Sequence, residues 1–190
     1  MSLDYTNGCV NFRDVGEWVN LISGRDLLAT DKLLRGGKLD HINSPTDVGF
    51  PKTILNLRRG EDRGIGFLGA EMFHIPLPKG NERSETQLPE VKRWLNNVFY
   101  ALTYEIDKLP VLIHCTSGKD RTGVVVGILL HILYIPIDII AEEYLLSDGD
   151  VDQEELHSAI DGVGDPVKYF KGIDLNILRK KFLLNIREIP

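Results

Sequence analysis

The residues with the clearest chemical potential are Cys115 and Arg121, six positions apart in HCTSGKDRTG (His114–Gly123). The stretch lies between the apolar runs Val111–Ile113 and Val124–Leu130. A strand ending at Cys115 and a helix opening at Thr122 turn the unpaired N–H groups of the helix start into the intervening loop. With the helix dipole, those groups make an anion site suited to phosphate. A thiol held there is favoured as thiolate, the reactive form of cysteine. The planar fork of Arg121 can grip two phosphate oxygens at once. Gly118 permits a tight turn and close backbone approach. The chemistry expected is in-line attack of Cys115 on phosphorus to give a cysteinyl-phosphate, with Arg121 and the loop N–H groups stabilising the equatorial oxygens. Water then hydrolyses the intermediate, with the Thr122 hydroxyl placed to donate to the departing thiolate. His114 is expected to position the Cys115 backbone or sulfur rather than act as a base. Thr116, Ser117, Gly118, Lys119, Asp120 and Arg121 form the expected phosphate-binding set. A bare C-x5-R occurs by chance, but the longer string in a strand–helix setting is specific. A nucleotide-type phosphate loop does not fit: Ile113 stands where that motif needs glycine, and Asp120 where it needs Ser or Thr.

The loop must be carried by a sheet. Thr53–Leu57, Met72–Leu77 and Val111–Cys115 are short, apolar and bounded by Gly, Pro or charge, and read as buried strands. Leu33–Arg35 reads as a further strand. The segment Cys9–Ala29, with turn signals at Gly16 and Ser23-Gly24, reads as an irregular hairpin layer. Gln87–Asp107 carries a helical apolar stripe, with Pro89 suited to its first turn. Thr122–Tyr134 is apolar nearly all round and predicts a central buried helix. Further helices are expected from Pro136 to about Leu146, over Val151–Ile160 and over Asp174–Arg187, with Gly162–Pro166 as a loop. Strand–helix alternation followed by a helical C-terminal third predicts an α/β fold.

The 190 residues suit one domain, expected to span 1–190. A net charge of -6 argues against bulk attraction to nucleic acid or an anionic membrane, so an anionic substrate needs a local positive site. Two cysteines are too few for a disulfide framework and point to a reducing compartment. No signal peptide and no stretch able to span a bilayer are visible. A cytoplasmic protein is therefore expected, with non-classical secretion left open. The histidines show no metal spacing, and neither metal nor cofactor is expected.

The loop resembles that of the cysteine-dependent protein tyrosine phosphatase superfamily. With Lys and Asp inside the loop, it is similar to the bacterial tyrosine-phosphatase family that includes broad-specificity, phosphoinositide-cleaving members. Asn11-Phe-Arg-Asp14 resembles that family's N-terminal signature, Leu55-Asn-Leu-Arg58 a strand ending in Leu-Arg, and Asp138–Asp148 the helix after the catalytic one. The resemblance implies a tyrosine-phosphatase-like, mostly parallel central sheet flanked by helices. It also implies action on a phosphorylated protein, tyrosine or dual-specificity, or on a phosphoinositide. Arg13, Asp14 and Arg58 are then expected to support the loop. Two stretches depart from the family pattern: Val15-Gly16-Glu17 after the first motif, and Arg35-Gly36-Gly37 where Arg-Ser-Gly is usual.

Many superfamily members protonate the leaving oxygen with an upstream Asp. Here that window, HIPLPKGNERSETQLPE, holds Glu82, Glu85 and Glu90 but no Asp. The resemblance points instead to Asp120, whose protonated form is favoured beside a bound phosphate dianion. The other reading is that Asp120 only orders the loop. Lys119 either adds positive charge for a multiply phosphorylated substrate or is simply solvated. Arg58, Arg59 and Arg63 either widen a basic rim or pair with Glu61 and Asp62. Two rival readings remain: a phosphate-binding module without turnover, and arsenate reduction with Cys9 as the resolving thiol.

Overall fold

The computed structural model describes residues 3–5 and 8–184. Its centre is one five-stranded sheet in the order β1-β2-β5-β3-β4. The strands are β1 (Arg13–Asp14), β2 (Leu33–Gly36), β3 (Thr53–Asn56), β4 (Glu71–His74) and β5 (Val111–His114). Only β1 runs antiparallel; the other pairings are parallel. Among the described residues seven helices surround the sheet: α1 (Val15–Ser23), α2 (Pro89–Tyr100), α3 (Asp120–Ile132), α4 (Ile137–Leu145), α5 (Gln153–Val163), α6 (Pro166–Tyr169) and α7 (Leu175–Phe182). This is the α/β architecture the strand–helix alternation predicts.

Side chains alternate across a strand, and this alternation divides the core. Leu33, Leu55, Val111 and Ile113 face the large helical core. Leu34, Ile54 and Leu112 face a smaller cluster with Leu39, Ile42, Val48, Ile65 and Leu68. Burial on both faces explains why these strands read as continuous apolar runs. α3, whose residues Val124–Leu130 are all buried, starts at the end of the turn that follows β5.

The expected hairpin at Cys9–Ala29 is a correction: the segment holds β1 and the helix α1. Asp14 caps α1, accepting from the N–H groups of Gly16 at 2.7 Å and Glu17 at 3.2 Å. Gly24, at φ 64°, ends it. Gly16 marks no turn. It lies inside the helix, where a Cβ would sit 2.5 Å from the Ala29 carbonyl oxygen. The expected loop at Gly162–Pro166 is also shorter, since α5 runs to Val163 and Pro166 opens α6 on an Asp165 cap. The long helix ends its regular turns at Tyr100 and continues as a wider π turn over Ala101–Glu105. The expected last helix stops at Phe182, and residues 185–190 lie outside the described residues.

Candidate active site

β5 ends at His114, and the chain turns through Cys115–Lys119 into α3. Three successive carbonyls of this turn are held by donors from elsewhere in the fold. Thr116 O accepts from the Lys38 N–H at 3.0 Å. Ser117 O accepts from Asn11 Nδ2 at 2.8 Å, and Gly118 O from Arg35 Nη2 at 2.9 Å. A peptide N–H points opposite to its C=O, so pinning the carbonyls on one side aims amides to the other. Gly118 makes the turn at φ 73°, and a Cβ there would lie 2.5 Å from Gly36 C and 2.6 Å from Gly37 N. The Gly36-Gly37 pair, where the family's usual serine is missing, is thus packed flat against the loop.

Beneath the loop lies a buried ion cluster. Arg35 is fully buried, and its Nη1 donates to Glu143 Oε2 at 2.6 Å. Arg13 Nε donates to the other oxygen, Glu143 Oε1, at 2.7 Å, and Arg13 Nη2 donates to Ser147 Oγ at 3.1 Å. Burial and then the neighbouring Arg35 pull Arg13 down to about 10, against the opposing pull of Glu143. Asn11 also ties the loop to the turn after α4: its Oδ1 accepts from the Asp148 N–H at 2.7 Å. Asn11, which is not among the residues expected to support the loop, touches it directly, whereas Arg13, which is, acts through Glu143. Asp14 caps α1 instead.

Cys115 is buried at the floor. The Thr122 hydroxyl, buried below it in α3, has no hydrogen-bond partner among the described residues. His114 Nε2 pairs with Asp62 Oδ2 at 2.8 Å and its Nδ1 has no partner, so the ring is fixed by Asp62 rather than by the sulfur. Arg58 Nη1 pairs with Asp62 at 3.1 Å and Asp40 at 3.0 Å, so it reaches His114 through Asp62. Cys9 Sγ contacts the Gly37 carbonyl at 3.5 Å. Burial pushes its thiol up to about 12; the Gly37 contact opposes this and nearby Cys115 adds to it. Cys9 therefore stays a thiol at neutral pH.

Above the loop opens a cleft of about 440 Å³. Arg58, Arg59 and Gly60 line one side, Leu77 and Asn81–Arg83 another, and Thr116, Asp120 and Arg121 the base. Arg121 Nη1 donates to Leu57 O at 3.0 Å and Nη2 to Thr116 Oγ1 at 3.2 Å, which spreads its fork across the loop. The Asp120 carboxyl accepts from Ser117 Oγ at 3.3 Å on one oxygen and meets Arg83 Nη2 at 3.4 Å on the other. Lys119 does not line the cleft. Its ammonium donates to the Asp150 carbonyl and lies 3.6 Å from Asp120. Arg58 combines both expected roles, pairing with carboxylates while lining the cleft.

Sequence reasoning passed over Arg83 and gave Arg35 and Glu143 no part in holding the loop; Asp62 is expected only as a partner of Arg58, which it is, and it also holds His114. Arg83 stood in the window searched only for acids. Its guanidinium pairs with Glu155, Asp120 and Glu82. Burial opposes its charge, but Asp120 and Glu155 outweigh that and raise its affinity for the proton. Among the described residues no group of three His, Cys, Asp or Glu is disposed to hold a metal ion.

Similarity to known proteins agrees with this arrangement. The triple specificity protein phosphatase PtpB of Mycobacterium tuberculosis is 48% identical over 44 residues, 23% of this chain and 16% of that protein. A tyrosine-protein phosphatase of Nostoc commune is 49% identical over 37 residues, 20% of this chain and 13% of its own length. The chain thus matches well under a fifth of the length of these relatives. The Siw14 catalytic core shares the fold at a TM-score of 0.54 and 15% identity, over 94% of this chain and 93% of that one. The core catalytic domain of the PP-IP phosphatase Siw14 from S. cerevisiae, in complex with citrate, gives 0.53 and 19% over 74% and 88%. The model of the tyrosine phosphatase family matches residues 5–169, which include all five strands of the sheet and every residue of the loop. The chain belongs to the tyrosine phosphatase family.

Proposed function

We propose that this chain is a metal-independent phosphomonoester hydrolase that works through a cysteinyl-phosphate. The observation that carries the reading is that the carbonyls of Thr116, Ser117 and Gly118, next to buried Cys115, are all held by donors from outside the loop, which turns the amides of Ser117 and Gly118 away from those donors, where they can meet phosphoryl oxygens. Cys115 attacks phosphorus, the phosphorus–oxygen bond breaks, and Asp120 gives its proton to the leaving oxygen. Arg121 turns from Leu57 O to the phosphoryl group. Water then attacks phosphorus with Asp120 as base, and the Cys115 thiolate departs, assisted by the unpartnered Thr122 hydroxyl. The substrate is a phosphorylated protein, on tyrosine or with dual specificity, and residues 1–190 act as one domain. Cytoplasmic residence accompanies this reading. A phosphoinositide or inositol phosphate substrate is the second reading, favoured by Arg59 and Arg121 in the lining of one cleft.

The test is phosphate release from an aryl phosphate with and without a chelator. Turnover should survive chelation and be lost in Cys115→Ser. Activity that persists in that variant, or that chelation abolishes, overturns the proposal. Tight phosphopeptide binding with no burst of product at stoichiometric enzyme would identify a binding module instead.

A further inference from the structure

We infer that Arg83 is a positioning residue for Asp120, held in place for that task by α5. The inference rests on the reading of Asp120 as the proton donor. Asp120 is the first residue of α3 and lines the cleft. Three contacts hold it: Ser117 Oγ at 3.3 Å on Oδ2, and Arg83 Nη2 at 3.4 Å and Lys119 Nζ at 3.6 Å on Oδ1. Ser117 and Lys119 belong to the same loop and move with it. Arg83 comes from the opposite wall, so it alone ties the carboxyl to the side of the cleft from which a leaving group departs.

Arg83 is itself anchored. The same Nη2 donates to Glu155 on α5, and Nη1 lies 3.3 Å from Glu82 Oε2. The following residues are docked on α5 and α6. Thr86 Oγ1 donates to Ala159 O at 3.0 Å, Gln87 Nε2 donates to Gly162 O, and Tyr169 OH donates to Thr86 O. Isolated surface ion pairs contribute little. This one is embedded: the Arg83 side chain is 23% exposed and its Nε is buried. The chain of contacts α5–Arg83–Asp120 therefore replaces the mobile upstream Asp that this sequence lacks. The carboxyl sits in the loop, and the upstream segment supplies a cation that aims it.

Arg83 is predicted to act only where proton donation matters. An activated aryl oxide leaves almost unaided, whereas an alkoxide does not. Arg83→Gln and, separately, Glu155→Gln should lower kcat for an alkyl phosphate by about 10–10²-fold, the scale of a small misplacement of a reacting group. They should change kcat for an activated aryl phosphate by no more than about threefold, and Arg83→Lys should recover part of the loss. The deciding measurement is a double-mutant cycle with Asp120→Asn, with Tm recorded for each variant. If Arg83 acts through Asp120, Arg83→Gln should add nothing to the alkyl-phosphate loss of Asp120→Asn. Additive losses, or equal losses on both substrates for Arg83→Gln, overturn the inference. If Asp120→Asn itself loses both substrates equally, the proton-donor assignment fails first, and the inference falls with it.

Discussion

Arg35 carries a charge shut off from solvent, and its loss has a calculable direction. Its guanidinium spans Glu143 Oε2 at 2.6 Å and the Gly118 carbonyl at 2.9 Å. Removing one partner of a buried ion pair costs about 3–5 kcal/mol, because the other charge stays buried. Glu143 keeps Arg13, so the lower end applies. Arg35→Ala should lower Tm by roughly 6–12 °C, at about 2–4 °C per kcal/mol for a chain of this size. It should also weaken vanadate binding, since the Gly118 peptide loses the donor that orients it. A Tm within 2 °C of the parent, or unchanged vanadate affinity, would refute this account. At this scale, spacing pointed to the proposed chemistry and not to its support. Cys115, Arg121 and Asp120 stand in one contiguous stretch. Arg35 and Glu143 are separated by over a hundred residues (|i−j| of 108), and no local pattern marks them as partners.

At the level of elements, the segment Arg83–Leu88 and α5 behave as one unit, and a single glycine decides how closely they meet. Gly162 lies in α5, where alanine ordinarily favours a helix by about 1 kcal/mol. Here a Cβ would collide with Thr86 Oγ1, which is held by its bond to Ala159 O. The clash should outweigh the propensity gain. Gly162→Ala should therefore lower Tm modestly and lower alkyl-phosphate turnover more than aryl-phosphate turnover, by moving Arg83. A stabilised variant with unchanged turnover would show that the segment is not docked as described. The elements themselves were largely legible, since burial on both faces leaves β2, β3 and β5 as short segments with apolar centres at Leu33-Leu34, Ile54-Leu55 and Val111–Ile113. The N-terminal segment was not. Gly16 looks like a turn residue in the sequence, but it is there because α1 crosses the Ala29 carbonyl too closely for a side chain. Close approach and turning leave the same letter.

For the whole molecule, the distribution of buried acids sets the pH range of stability. The Tyr144 hydroxyl is raised to about 12, chiefly by burial and next by Asp120 and Glu155. Burial alone raises Tyr169 further still, and Cys9 is pushed to about 12. An acid whose folded pKa exceeds its unfolded one binds more protons when folded. Stability is then full below the unfolded value, near 10 for tyrosine and near 9 for the Cys9 thiol, and is lost as pH rises toward the folded one. Arg13, lowered to about 10, has the opposite sign, but its contribution enters only between about 10 and its ordinary value of 12.5. Below that range Lys181, lowered from its ordinary value by burial, opposes the acids in part, so Tm should be level at neutral pH and decline above about pH 9. Tyr144 packs against Gly123, directly behind the phosphate loop, so alkaline unfolding should take the anion site with it. Tyr144→Phe keeps the ring and removes the titrating group, and should flatten the decline without altering Tm at pH 7 by more than about 1 kcal/mol in equivalent stability. Thermal melts from pH 7 to 10.5 decide the matter: a Tm independent of pH over that range, or a decline equally steep in Tyr144→Phe and in a Tyr144→Phe/Cys9→Ala double variant, would show that these groups do not set the alkaline limit.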